Sequence, residues 1–417
     1  MYEFGLALCE DYQQALENEG CKLTCDESLE KLYIWKGIIN RSLANYPEAI
    51  EAFLKAYQIC EKQYGICHLH TSHALKHIGT IYNAQRDYDK SEEYYLKALG
   101  IQRNLSAKKE QIDTIHSLAD NCLDKRDFDN AEKYLMEALS ASRNLLGDEN
   151  ETVSSIYNSI GALYDFTEKY EEAINYAIKS IDLDTKLYGK YNVNTAHVYH
   201  NIAGTYCKIG KLEEAQTAYE ESLEIKTKLF GKDHYETCIT LAGLGNVYKY
   251  KKEYDKAIEC HTKYYVAYRS TFGDKDSYLA VILAGIGVDF YDKGDCEKAL
   301  YYHQKALEVL LDNNEDVVSS YYNCIGNDLY CLDNYEEAID AYENGMNCKD
   351  VEANPYTRTI LLNCIARSYA CLGEYQKARP YFEKALEIRK QLFKENDPRV
   401  IQCINNVDKI KRMLSDG

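Results

Sequence analysis

The chain has 417 residues, carries 49 Lys+Arg against 67 Asp+Glu for a formal net charge of −18, and is 46% hydrophobic. It is too long for one ordinary compact core and too apolar for a disordered acidic tail, so it is several domains or a repeat array. With 22 Gly and only 4 Pro, collagen-like, Pro-rich and turn-dense all-β classes are excluded and helix is expected.

Met1-Tyr2-Glu3-Phe4 opens no signal peptide, and sixteen Cys fall well below the density of a disulfide scaffold, so the chain is expected in a reducing, cytoplasmic setting. Residues 3–19 read as one helix and Gly20 to Glu27 as a polar connection, which sets residues 1–29 apart from the rest of the chain. No window approaches the roughly 18 uninterrupted apolar residues that a spanning helix requires, so no membrane is expected. Nor is nucleic acid, because the net negative charge repels phosphate and no basic stripe offsets it.

From residue 30 to 395 one pattern recurs. A small residue stands at Gly37, Gly79, Ala119, Gly161, Ala203, Gly245, Gly287, Gly326 and Ala366, at intervals of 42, 40, 42, 42, 42, 42, 39 and 40. A second small residue comes 12 positions later each time, at Ala49, Ser91, Ala131, Ala173, Ala215, Ala257, Ala299, Ala338 and Ala378. In Tyr157 to Tyr164 the apolar residues 157, 160, 163 and 164 form the stripe of an amphipathic helix, and Gly161 lies on it. A glycine inside a helix costs about 1 kcal/mol against alanine, so its place implies a close approach by a neighbouring helix. A second helical run starts at Tyr170 with Ala173 as the matching contact. Each unit is therefore an antiparallel helical hairpin that must stack on its neighbours to bury its stripes.

The pattern has departures. The later small residue of the second helix becomes Tyr264 in the sixth unit and Gly345 in the eighth, and those joints are expected to pack differently. Pro380 falls in the first turns of a second helix, where a missing N–H costs less than mid-helix. Residues 396–417 open with Asn396-Asp397-Pro398, a cap followed by proline at the first helical position, and continue as a helix that closes the array.

The small-x-x-aromatic first helix and the Tyr-x-x-Ala second helix, as in Tyr88/Ser91/Ala98, Phe128/Ala131/Ala138 and Tyr375/Ala378/Ala385, resemble the tetratricopeptide repeat. The longer period and the Tyr188-Gly189, Phe230-Gly231 and Phe272-Gly273 junctions resemble the kinesin light chain version of it. The resemblance implies an all-α, right-handed superhelical solenoid of about nine hairpins with terminal capping helices. It also implies that the first helices line a concave groove. Transferred to this sequence, the groove positions hold Lys76 and Asn83, His116 and Asp120, Asn158 and Asp165, and His197 and His200. They continue with Asn246, Lys249 and Tyr250, then Tyr291, then Asn323, Asn327 and Tyr330, then Asn363 and Arg367. Asparagine can both donate to and accept from a peptide backbone, and tyrosine adds rigid area with a polar tip. Lys76 and Asn83 match the start of the clamp by which some members hold a carboxy-terminal carboxylate, but His116 and Asp120 come next and no clamp is completed.

The other tyrosines, such as Tyr82, Tyr164, Tyr206, Tyr248 and Tyr369, recur at stripe positions and are read as packing. Cys324, Cys331, Cys364 and Cys371 occupy equivalent places in adjacent units, but residues seven apart are separated by about 10.5 Å along a helix, too far for one zinc ion, so they are read as small buried hydrophobes. His73 and His77 have the spacing of a two-histidine metal face without the glutamate of a hydrolytic zinc helix. They are weak metal candidates beside the plainer reading of His68, His70, His73 and His77 as solvated loop and groove residues. No cofactor is expected, and no strained nucleophile or phosphate loop marks an enzyme. The sequence thus predicts a non-catalytic adaptor or scaffold for an extended peptide or helix, with a partner of basic surface. It leaves open self-association, and a sensor or autoinhibitory role beside a protease or nucleotide-switch protein.

Overall fold

The computed structural model describes Cys9 and residues 25–43, 45–315 and 318–415. Cys9 apart, the expected helix over 3–19 lies outside them. Part of the expected connection does not: residues 25–27 already belong to the first helix, α1 (Cys25–Ser42). The chain divides into two compact units, Met1–Thr205 and Tyr206–Gly417, and every element among the described residues is a helix.

In the first unit α1 pairs with α2 (Tyr46–Tyr64), α3 (Leu69–Ala84) with α4 (Tyr88–Asn104), α5 (Lys108–Lys125) with α6 (Phe128–Leu146), and α7 (Glu151–Phe166) with α8 (Tyr170–Tyr188). The next helix is α9 (Val193–Lys208). In the second unit α10 (Leu212–Phe230) packs on α11 (Tyr235–Tyr250), which pairs with α12 (Tyr254–Phe272). The next pairs are α13 (Tyr278–Lys293) with α14 (Cys296–Asp312) and α15 (Ser319–Cys331) with α16 (Tyr335–Met346). The short α17 (Lys349–Ala353) precedes α18 (Pro355–Cys371), α19 (Tyr375–Leu392) and the closing α20 (Pro398–Ser415).

The repeated small residues explain the pairing. All nine members of the second series are buried, from Ala49 to Ala378. At Gly326 an added Cβ would sit 2.4 Å from the Tyr342 ring, and at Gly37 2.5 Å from the Phe53 ring. The first helix gives up a side chain so that a ring from the second helix can lie on its backbone. Gly161 differs: Ala177 stands where the ring would be, and the nearest atom to its Cβ would be the Ala173 carbonyl at 3.3 Å.

The junctions between hairpins are set by local sequence as well. Gly231 closes α10 at φ 95°, a conformation open to glycine at little cost, and its N–H bonds the Thr227 carbonyl. The Thr237 hydroxyl then donates to the Gly231 carbonyl at 2.8 Å, fixing the entry to α11. At the close of the array, Asp397 accepts from the Arg399 backbone N–H at 2.9 Å, and that side chain's guanidinium holds its carboxyl down to about 2.

The two departing joints do pack differently. Tyr264 enters a ring cluster, with Tyr235 at 6.3 Å and Tyr268 at 6.0 Å between centroids. A Cβ added at Gly345 would meet the Tyr322 Cβ at 3.2 Å, and there the second helix stops at Met346, with α17 added after it. Pro380 lies six residues into α19, beyond the first turn, so the Gln376 carbonyl loses a ladder partner and the milder placement expected for it does not hold.

The cysteine reading needs correction. Cys331 is exposed and forms a disulfide with Cys296 across α14 and α15, with Cα atoms 6.3 Å apart. Cys371 is exposed, and Cys324 and Cys364 are half-buried, so none of the four is a small residue sealed in the core. The pairing is not legible from spacing, because Cys296 lies on a second helix, outside the series of equivalent first-helix cysteines.

Candidate functional site

Within the first unit the first helices α3, α5 and α7 touch one another in succession, with α5 between the other two. Their polar side chains form a wall of separate hydrogen-bonded groups. His116 Nε2 lies 2.9 Å from the Ser159 hydroxyl, which donates to Asp120 Oδ1 at 2.9 Å, and His116 and Asp120 are themselves 3.8 Å apart. Burial pushes the Asp120 carboxyl up against the opposing pull of His116, although half of its side chain remains open to solvent. Burial lowers the Lys76 ammonium, opposed by the charges of Asp113 and Asp120. Beside them the Asn83 amide donates to Asn121 at 3.2 Å and to Asp124 at 3.0 Å. Asp165, one unit on, accepts from Thr205 at 2.9 Å.

Of the predicted residues the wall thus bonds Asn83 and His116, while Lys76 meets it only through the charges of Asp113 and Asp120. Asn158 lies half-buried on α7 next to Ser159, and His200 lies half-buried on α9. Asp113, Asn121, Asp124, Ser159 and Thr205 stand outside the predicted set. For the aspartates the signal was present, since Asp113, Asp120 and Asp124 recur at i, i+7 and i+11 and so lie on one face of α5.

The histidines near the start of α3 are not solvated loop residues. His70 Nδ1 lies 2.7 Å from the buried Glu30 carboxylate, His68 stacks on Tyr64 at 4.5 Å, and His77 stacks on Phe53 at 5.0 Å. Burial lowers His73 and brings His77 down to about 4. Both rings therefore stay neutral and packed at neutral pH. Among the described residues no three His, Cys, Asp or Glu side chains converge as a metal site would require.

In the second unit Asn246 and Tyr250 are exposed, and Lys249 pairs with Asp292 at 3.4 Å and Asp289 at 3.8 Å. Tyr291 is 40% exposed. The asparagines here carry structural bonds: Asn327 accepts from the Tyr342 hydroxyl at 2.9 Å, and Asn363 donates back to the Thr359 carbonyl at 2.7 Å. Asn323 is half-buried and reached by the Cys364 thiol at 3.9 Å, a weak contact. Arg367 lies over the Tyr330 ring at 4.8 Å, and the Tyr330 hydroxyl meets the Cys371 thiol at 3.1 Å. The stripe tyrosines pack as expected, Tyr82 on Tyr94 at 5.5 Å and Tyr369 on Tyr381 at 5.7 Å.

The tetratricopeptide repeat profile matches residues 28–104, 110–186, 194–270, 250–312 and 356–414, most of the described chain. This protein belongs to the tetratricopeptide repeat family. As a tetratricopeptide repeat protein it carries a fold generally used as a non-catalytic interaction module. No curated protein matches its sequence. Among solved structures it is similar to the signal-transduction ATPase with a tetratricopeptide repeat sensor from Pyrococcus horikoshii, at 17% identity and TM-score 0.61, over 88% of this chain and 53% of that one. It is also similar to BtubC from P. vanneervenii, at 21% identity and TM-score 0.50, over 54% of this chain and 92% of that one. A third is the Rap conjugation gene regulator of plasmid pLS20, solved in complex with a Phr peptide, at 18% identity and TM-score 0.50, over 68% of this chain and 74% of that one. These likenesses concern the fold. No helix among the described residues is long and apolar enough to cross a membrane.

Proposed function

We propose that this tetratricopeptide repeat protein is an adaptor that holds an extended peptide against its first helices, and that the wall of α5 selects a basic side chain of that peptide. The observation that carries this reading is the placement of Asp113, Asp120 and Asp124 on one face of α5, with half of the Asp120 side chain open to solvent and so within reach of a ligand. A guanidinium or ammonium arriving there can form charge-assisted hydrogen bonds with these carboxylates. Burial holds Lys76, a cation close by, below its ordinary value. A net charge of −18 brings basic partners in and disfavours nucleic acid. The Rap regulator's complex with a peptide supports a peptide as the class of ligand.

The test is a peptide array in which one position is Arg, Lys or Gln, probed with the full chain and with its Asp113→Asn/Asp120→Asn variant. The reading expects Arg and Lys to be preferred over Gln by about tenfold and the variant to lose that preference. An unchanged preference in the variant overturns it. Replacing Asn323, Asn327 and Asn363 is a poorer test, because two of them hold the fold together through Tyr342 and Thr359. A second reading, a sensor arm of a signalling assembly, is supported by the repeat sensor of the Pyrococcus horikoshii ATPase. Co-purification of a separate nucleotide-switch protein would favour it.

A further inference from the structure

A cavity of about 390 Å³ opens between α15, α18, α19 and the closing helix α20, within the second unit. Its charged lining is Arg367 and Lys409, in a chain that is acidic overall. Neither cation has a carboxylate within ion-pair distance among the described residues, whereas Lys249 on the same series of first helices is paired twice. The rest of the lining includes Tyr330, Tyr375, Asn406 and Met413, aromatic and apolar surface with one amide. Volume and composition fall at the small end of ligand cavities, which span roughly 300–1,000 Å³ and combine apolar walls with a few convergent polar groups.

Arg367 is held ready for a ligand. Its guanidinium lies 4.8 Å over the Tyr330 ring, and Tyr330 is fixed in turn by an edge contact with Tyr335 at 5.2 Å and by the Cys371 thiol at 3.1 Å. The guanidinium is also hydrogen-bonded to Tyr330, and with five N–H donors it has others left for a carboxylate or phosphate. On α20, Asn406 and Lys409 are one turn apart and line the same cavity, so they add an amide and a point charge from the other wall.

We propose that this cavity binds an anionic group, carboxylate or phosphate, carried on an aromatic or apolar body, with Arg367 and Lys409 gripping the charge and Tyr330, Tyr375 and Met413 covering the body. This site stands apart from the acidic wall of α5 and is of opposite sign. The test titrates the full chain with benzoate, phenyl phosphate and benzamide, followed by ligand-observed NMR, in the natural sequence and in Arg367→Met/Lys409→Met, Lys409→Glu and Asp113→Asn/Asp120→Asn. The two anions are expected to bind at least about tenfold more tightly than neutral benzamide and to weaken with salt. The double variant is expected to lose that difference, and the acidic-wall variant to keep it. Tighter binding of phenyl phosphate would identify a phosphate-bearing ligand, and tighter binding of benzoate a carboxylate. Lys409→Glu lies on an exposed helix face, so it keeps the test decisive if removing Arg367 disturbs the fold. Equal binding of benzamide and benzoate, or anion binding unchanged by both the double variant and Lys409→Glu, would overturn the assignment.

Discussion

His303 Nδ1 lies 2.5 Å from Asp328 Oδ2 with both side chains sealed from solvent, so α14 of one hairpin is bonded to α15 of the next through a buried titratable pair. The same arrangement stands one unit earlier, where His261 Nδ1 lies 2.5 Å from Asp289 Oδ2. Burial pushes Asp328 up while His303 opposes it. Removing only the histidine would leave an uncompensated buried carboxyl, which costs about 3–5 kcal/mol. His303→Leu is therefore expected to lower urea stability by several kcal/mol, and His303→Leu/Asp328→Leu to lower it by less than His303→Leu alone. A double variant as unstable as the sum of His303→Leu and Asp328→Leu would show that the two residues are not coupled.

Gly326 and Gly161 occupy equivalent places and should answer alanine differently. At Gly326 the new Cβ meets the Tyr342 ring at 2.4 Å, and that ring is 1% exposed with no room to retreat. Overpacking of this kind costs about 1–3 kcal/mol. At Gly161 the nearest atom is the Ala173 carbonyl at 3.3 Å, so a small adjustment is set against the roughly 1 kcal/mol that alanine gains in a helix. Thermal melts are expected to place Gly326→Ala well below the natural protein and Gly161→Ala within a few degrees of it.

His77 supplies a pH dependence. Burial beside Phe53 lowers it to about 4, with Lys76 and Arg41 adding repulsion. Its folded value lies below the ordinary histidine value of about 6.5, so the unfolded chain takes up the proton first. The stability it contributes is complete above about pH 6.5, falls as pH drops toward about 4, and changes no further below that. The loss is on the order of 1–3 kcal/mol. His77→Phe, which keeps a ring on Phe53, is expected to flatten this part of a stability-against-pH curve measured by urea melts. A curve of unchanged slope would assign the dependence to other groups.

Most of the fold was written in the spacing. The small residues and the hairpins come from a local pattern that repeats nine times and so cannot be confused with accident, and the closing cap at Asp397 from a single local motif. What the repeat hid is what varies within it. The residue 16 places after each small residue is Phe53, Tyr95, Leu135, Ala177, Tyr219, His261, His303, Tyr342 and Phe382, and only packing reveals that two of these histidines reach an aspartate on the next first helix. The wall of α5 was half legible: Lys76, Asn83 and His116 stood at groove positions, but the bonds of Asn83 and His116 to Asp124 and Ser159 depend on how neighbouring first helices are offset, which one helix's periodicity does not fix. The Cys296 and Cys331 pairing was hidden for the same reason, since it joins a second helix to the next first helix.

The turn inside each hairpin gives the last prediction. One residue there takes the left-handed conformation in eight hairpins: Gly210 at φ 75°, Gly294 at φ 90° and Gly373 at φ 76°, but Arg86, Arg126, Glu168, Lys252 and Asp333 at φ between 60° and 65°. A side chain in that region costs of order 1–2 kcal/mol, whereas glycine adopts it freely and gives back about 0.5–1 kcal/mol through a more flexible unfolded chain. Relief of strain outweighs the added entropy, so Glu168→Gly is expected to stabilise the protein by up to about 1 kcal/mol. Gly210→Ala, which introduces the strain where it was absent, is expected to destabilise it by about 1 kcal/mol or more. Paired urea melts of the two variants check the argument through the signs of the changes. If both move the midpoint in the same direction, backbone strain is not what distinguishes these turns.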